Sequence, residues 1–309
     1  MRNEIPKAIL ALSKNHPLVF MTGDLGFMAL EPLQEALGNR FINAGVAEQN
    51  MIAVAAGLTL SGQQTWVYSI ASFCYARPFE HIRNDICLNK LPVKLIGNGG
   101  GYAYGCMAGT HHALEDYGVL LSLQSMQIFV PAFAADVGPI IHKMAMLTLP
   151  CYLRLGRCEL PKEMTLPTYR SWRFLLDGKG PLLVCMGPLA GSLLHAFCQM
   201  DYSIRPAIWV VTELPLILEE IPTEFLQRLS QAKILCVVEE HVAQGGFAQN
   251  LLWLLLKNNI ALPQFLHAHA KGYPSGTYGS QLFHRIECGL DPQSIIQMLG
   301  LNEVNKKYA

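Results

Sequence analysis

Short apolar runs rich in β-branched residues recur along this chain with helical spacing between them, and this alternation most narrows what it can fold into. Residues 18–21, 41–44, 64–68, 93–96, 126–130 and 151–155 have the length and composition of buried strands. A second series follows at 182–186, 207–211, 234–239 and 264–267. Strands that are apolar throughout belong to parallel sheets covered on both faces, because helical crossovers must link them. Helical spacing predicts helices over 191–200, 247–258 and 292–299. The expected fold class is therefore α/β, with two consecutive domains of mostly parallel sheet. The chain's 309 residues are about twice the ~150 of a typical domain. Residues 158–180 mix charge, proline and glycine without sustained periodicity. They place a first domain at 1–160, a linker at 161–180 and a second domain at 181–309.

Within the first series, Phe41-Ile-Asn-Ala-Gly-Val-Ala-Glu48 puts an acid where a strand hands over to an apolar helix. Met51, Val54, Ala55 and Leu58 recur at helical spacing until Ser61-Gly62 closes that helix, so Glu48 falls in its first turn. Ligand sites of α/β sheets lie at such strand-to-helix junctions. The macrodipole also favours an acid there for purely structural reasons, so position alone does not decide its role.

Composition narrows the functional classes. Twenty-three basic residues balance twenty-three acidic ones, which gives no basic excess for nucleic acid or a membrane surface. Charged residues are 15% of the chain against a usual ~25%. Either an efficiently packed core or a surface covered by partner subunits produces such a shortage. Nine cysteines without a Cys-x-x-Cys pair read as reduced core thiols, and Met1-Arg-Asn-Glu-Ile-Pro lacks the build of a signal peptide, so a cytoplasmic location is expected. No apolar run approaches the ~20 residues of a membrane span. Gly97-Asn-Gly-Gly-Gly101 follows a strand, but a dinucleotide fingerprint would need a third glycine where Tyr102 or Tyr104 stands. The glycines then mark either a turn that carries the tyrosines into a cleft or a purely structural loop.

Several segments occur in a telling order: Gly45-Val-Ala-Glu-Gln-Asn-Met51, Val67-Tyr-Ser-Ile-Ala-Ser-Phe73, Phe79-Glu-His-Ile-Arg-Asn-Asp85, Leu91-Pro-Val-Lys-Leu95, Gly109-Thr-His-His-Ala-Leu-Glu-Asp116, Tyr152-Leu-Arg-Leu-Gly-Arg157 and Val237-Val-Glu-Glu-His-Val-Ala-Gln-Gly-Gly246. Together they resemble the transketolase family of thiamine diphosphate enzymes over nearly the whole chain. In extent the chain is similar to the separately encoded C-terminal half of split transketolases. The resemblance implies a pyrimidine-binding domain followed by a transketolase C-terminal domain, and transfer of a two-carbon ketol unit between sugars.

It also implies site roles. Glu48 is the carboxyl group on N1′ of the aminopyrimidine, which the cofactor needs to reach its imino tautomer. Phe73 or Tyr75 is the aromatic that covers that ring, and Asp24 faces the cofactor across the division between two chains. His111 is an acid/base or substrate-holding group. Arg157, with Arg154 as a second candidate, grips substrate phosphate.

Two departures bear on substrate. Cys106-Met107 stands where transketolases carry an acidic pair that reads a donor hydroxyl, and Gly26-Phe-Met-Ala29 lacks the serine that helps bind acceptor phosphate. Standard pentose phosphates are therefore not the expected substrates. The chain also lacks the Gly-Asp-Gly…Asn motif for metal and diphosphate. The implied partner is an N-terminal diphosphate-binding subunit holding magnesium or calcium, in an α2β2 assembly around a homodimer of this chain. A 2-oxoacid dehydrogenase β subunit, a deoxyxylulose phosphate synthase-like carboligase and a catalytically silent scaffolding subunit remain alternatives.

Overall fold

A computed structural model describes residues 1–158, 160 and 164–301. Among them, twelve strands form two sheets. The first sheet contains β1 (Leu18–Thr22), β2 (Phe41–Asn43), β3 (Gln64–Ile70), β4 (Lys94–Asn98), β5 (Gln127–Phe129) and β6 (Cys151–Leu155). The second contains β7 (Trp172–Leu176), β8 (Leu182–Met186), β9 (Ala207–Val211), β11 (Ile234–Val238) and β12 (Gln264–Ala268), while the two-residue β10 (Glu213–Leu214) returns to the first. Their orders are β10-β5-β6-β4-β3-β1-β2 and β12-β11-β8-β9-β7. Every pairing of these strands is parallel except those of β10 with β5 and β7 with β9.

Two elements depart from the sequence expectation. The stretch expected to be linker carries β7, an antiparallel edge strand whose mixed Trp-Arg-Phe pattern hides its type because only part of it is buried. Residues 159 and 161–163, at the expected meeting of first domain and linker, lie outside the described residues, as do 302–309. β10 ties sequence from the second half onto the edge of the first sheet, so the sheets do not divide cleanly by sequence.

Core packing follows the same plan. The helices Glu4–Ser13, Glu31–Leu37 and Val137–Met146 bury Ile5, Ile9, Leu33, Ile140 and Met144 against Phe20, Trp66 and Leu153 on one face of the first sheet. On the opposite face, Met51, Ile52, Ala55, Val67 and Leu95 belong to a core that continues into Val184, Trp209 and Val237 of the second sheet. The helix Glu48–Leu60 thus buries Met51, Ile52, Ala55 and Ala56, whereas Val54, expected on the buried stripe, is exposed. Among the described residues Cys74, Cys87, Cys106, Cys151, Cys185, Cys198, Cys236 and Cys288 form no disulfide. Among the described residues no helix is long and apolar enough to cross a membrane.

Strand order reverses direction beside β1: the chain moves outward to β2 and then crosses back past β1 to β3. At such a switch point the helices leave on opposite faces, which opens a crevice beyond the carboxyl ends of the two strands.

Candidate active site

Glu48 sits at that crevice. Gly45, at φ +73°, turns the chain out of β2, the Ala47 amide donates to Gly45 O at 2.8 Å, and Glu48 then opens the helix. Its side chain is 2% exposed. It turns away from its own helix, accepting from Ser69 Oγ of β3 at 3.1 Å and from Arg77 Nη1 at 2.8 Å. Gly23, just past β1, lies beside it: a Cβ there would make ordinary contact with Glu48 Oε1 at 3.6 Å. A buried carboxylate in an apolar wall is costly unless such donors satisfy it.

Phe73 forms one side of the same pocket. It is half-buried on the short helix Ala71–Tyr75. Arg77, four residues on, lays its guanidinium over the ring with Cζ 3.8 Å from the centroid, as i,i+4 spacing allows. His111 meets the ring edge-on at 5.1 Å and lies 5.6 Å from Tyr104. Its Nδ1 is 2.9 Å from Thr110 Oγ1, and Ser72 Oγ donates to Thr110 O at 3.1 Å, which pins this loop to the Phe73 helix. Tyr104 packs against Gly99 so closely that a Cβ at that position would fall 2.2 Å from the ring, and φ at Gly99 is +76°. Asn98 Nδ2 donates to the Tyr104 hydroxyl at 3.0 Å. Burial pushes the Tyr104 phenol upward, against the opposing guanidinium charges of Arg2 and Arg157.

The remaining sequence candidates separate. Asp24 is exposed at φ +58°; its backbone amide and side chain form a reciprocal pair with Asn43 at 3.0 and 2.9 Å, joining the ends of β1 and β2. Tyr75 belongs to the core, with its hydroxyl on Glu115 at 3.3 Å rather than beside Glu48. Arg157 is exposed two residues beyond β6, near Tyr104, and no carboxylate pairs with it among the described residues. Arg154 is no phosphate grip: it is buried, donating to Asp116 Oδ2 at 2.9 Å and to the carbonyls of Ala113 and Glu240 at 2.7 and 2.8 Å. The direction of its side chain in β6 decides this, and the parity of a fully buried strand cannot be read from its sequence. Cys106 and Met107 are exposed on the turn that precedes His111.

Ser69, Arg77, Asn43 and Tyr104 join the site although sequence reasoning does not single them out as site residues. For Arg77 the available signal is its spacing from Phe73; Ser69 and Asn43 sit at strand ends, where only sheet order reveals what they face.

The pocket therefore offers a buried carboxylate edge beside an aromatic face, with the His111 imidazole against that face and the exposed Arg157 guanidinium near Tyr104. A carboxylate edge beside an aromatic face has the chemistry to hold a flat nitrogen heterocycle through an N–H···carboxylate bond and a stack. The sequence pattern of the transketolase pyrimidine-binding domain matches residues 7–163. One subunit of the apulose-4-phosphate transketolase of Actinobacillus succinogenes is 27% identical over 307 residues, with 96% of each chain covered. The 1-deoxy-D-xylulose-5-phosphate synthase of Chlamydia muridarum is 27% identical over 81% of this chain but only 40% of its own length. A split-gene transketolase solved as an inactive β4 tetramer superposes with a TM-score of 0.81 at 28% identity, covering 97% of this chain and 96% of that one.

Proposed function

The chain belongs to the transketolase family as the C-terminal subunit of a split enzyme, a transferase that works with a partner subunit, and on that premise we propose that it moves a two-carbon ketol unit from a ketose phosphate outside the standard pentose phosphates. The observation that carries this reading is the Glu48–Phe73 pocket. A planar N–H donor, the Arg77 guanidinium, already lies there bonded to the carboxylate and stacked on the ring, so the residues fit an aminopyrimidine. Family membership brings thiamine diphosphate, which when bound supplies the nucleophilic carbon that takes a two-carbon unit from a ketose and gives it to an aldehyde.

This chain's own residues do the rest. Glu48 would hold the ring nitrogen and exchange a proton there, with Ser69 keeping its second oxygen in place. Phe73 supplies the stacking face, and Asp24, braced by Asn43, lines the entrance. His111, half-exposed at the mouth, is placed to move a proton at a substrate hydroxyl. Arg157 would pair with substrate phosphate. Cys106 and Met107 leave the wall before His111 without a carboxylate, which suits a donor with a different hydroxyl pattern from the pentose phosphates. The name of the Actinobacillus relative supplies a concrete candidate of this kind, apulose 4-phosphate.

The rim explains the need for a second chain. Phe27, Met28 and Val46 are 81%, 82% and 72% exposed around the Asp24–Glu48 mouth, an apolar surface suited to a diphosphate-binding subunit holding magnesium or calcium in an α2β2 assembly. The solved relative, inactive as a β4 tetramer, supports an oligomer that awaits its partner. The end-to-end match to one chain of a two-chain transketolase, against 40% of the synthase, favours the split reading over a carboligase.

Reconstitution tests it. The chain mixed with a diphosphate-binding transketolase subunit from the same source, thiamine diphosphate and magnesium should transfer ketol units from apulose 4-phosphate to an aldose phosphate, and neither chain alone should do so. Absence of any thiamine-dependent activity in the mixture overturns the proposal, and pyruvate-dependent CO2 release in its place points to a 2-oxoacid enzyme or a carboligase.

A further inference from the structure

Arg77 uses both of the groups a ring ligand would need. Its Nη1 donates to Glu48 Oε2 at 2.8 Å while its Cζ lies 3.8 Å from the Phe73 centroid, and Ser69 holds the other carboxylate oxygen. A guanidinium is flat and delocalised and presents N–H donors in its own plane, so it stacks and hydrogen-bonds through the same two features as an aminopyrimidine. One aromatic face and one carboxylate edge accommodate a single planar group. Resting on the function proposed above, we infer that Arg77 takes the place of the aminopyrimidine in the free chain, so that cofactor binding is an exchange in which Arg77 withdraws to solvent.

Three observations support an exchange rather than a fixed contact. With 2% exposure, Glu48 would be left short of charged partners inside a nearly closed pocket whenever the ring is absent, and Arg77 prevents this. The Arg77 side chain is itself 43% exposed, so its stem has a route outward. By contrast, the Arg154–Asp116 and Arg173–Asp136 pairs are at most 4% exposed on either side and are locked by further bonds. Among the described residues Arg77 donates to Glu48 alone, so no other hydrogen bond requires it to stay.

The test is cofactor affinity, measured by calorimetry on the reconstituted two-chain complex with magnesium present. Arg77→Gln and Arg77→Ala should each tighten thiamine diphosphate by about tenfold, about 1.4 kcal/mol, the scale of one half-exposed ion pair and one cation–π contact combined. Millimolar guanidinium chloride should then compete with the cofactor in Arg77→Ala and have little effect in the parent complex, because the parent pocket already contains its own guanidinium. Equal affinity in parent and variants overturns the inference while the proposed function stands. Weaker binding in the variants also overturns it, by making Arg77 a contact of the bound ring. Failure of parent and variants alike to bind thiamine diphosphate removes the proposed function, and the inference with it.

Discussion

The pocket beyond the first sheet and the joint between the two sheets are built from the same parts, carboxylates, arginines and aromatic rings, yet they are arranged for opposite ends. At the joint the charges are dry and, apart from Asp116 Oδ1, which has no partner among the described residues, densely bonded. Asp116 accepts from Arg154 and from the Tyr152 hydroxyl at 2.8 Å, and the Arg154 guanidinium also lies over Tyr117 at 5.1 Å. Glu240 accepts from the Tyr102 amide at 2.7 Å, Gln281 at 3.0 Å and Arg285 Nε at 2.7 Å. Burial pushes its carboxyl upward, and Arg285 together with those donors outweighs the effect and leaves it below the usual range. Glu239 joins the Tyr117 hydroxyl, His267 and the first two amides of the helix Phe247–Lys257. In the pocket, Glu48 has one donor per oxygen, and one of the two donors is half in solvent. Multiple dry bonds fix a geometry; single, wet-sided ones leave groups free to be exchanged.

This contrast is tested most severely at Glu48. Glu48→Gln keeps shape and a hydrogen-bonding edge but cannot exchange a proton with a ring nitrogen. Turnover of the reconstituted complex should fall by about 10²- to 10⁴-fold, the range for loss of a positioned acid/base group, with the thermal midpoint of the chain essentially unchanged. Full activity in the variant would make Glu48 a structural residue like those of the joint.

At the joint the signs reverse. Arg154→Met strips the partner from Asp116, whose carboxylate is fully buried, and should cost about 3–5 kcal/mol in urea unfolding of the isolated chain. Adding Asp116→Leu should recover part of that loss, because it removes the unpaired buried charge, while the Ala113 and Glu240 carbonyls and the Tyr152 hydroxyl still lack their partners. The double variant should retain the turnover of the parent complex. A small effect of the single substitution on stability would mean that the joint is wetter and looser than its burial implies.

How much of this is legible in the sequence follows from the physics of each feature. Parallel strands buried on both faces announce themselves as apolar runs, so most strands fall close to their expected ends. β7 escapes because an antiparallel edge strand carries Arg173 inward to Asp136 at 2.6 Å and leaves Phe174 partly covered, which breaks the apolar run. Arg154 and Arg157 look alike in sequence, three residues apart in one segment; Arg154 lies within β6 with its side chain turned into the joint, whereas Arg157 lies beyond the strand's end and is exposed. Phe73 meets His111 and is linked to Glu48 through Arg77, and Asp24 is tied to Asn43, by sheet order that no single segment encodes, whereas the motif around Glu48 is local and readable as it stands.

The histidine pair offers the finest test, because adjacent residues fall on either side of the divide. His111 is half-exposed in the pocket, while His112 is 4% exposed in the joint, enclosed by the rings of Tyr102, Tyr273 and His284 at 5.2, 5.7 and 5.1 Å. Its Nδ1 meets the Tyr273 hydroxyl at 2.9 Å and its Nε2 has no partner among the described residues. Burial, reinforced by the neighbouring His284, lowers its pKa to about 4. The unfolded chain therefore binds this proton near pH ~6.5 and the folded chain only near about pH 4. The contribution of this group to stability is complete above pH ~6.5, declines as the pH falls from there, and has nothing more to lose below about 4. At about 1.4 kcal/mol per pH unit the loss approaches about 3 kcal/mol at most, and between about pH 7 and pH 5.5 it should be about 1 kcal/mol. Urea midpoints of the isolated chain across that range should show this decline together with a further one from the buried His241, whose pKa burial also lowers; His112→Phe should make the slope shallower by about its own share, whereas His111→Phe should leave it in place. An equal slope in the His112→Phe chain would move the pH sensitivity elsewhere and remove the distinction between these neighbours.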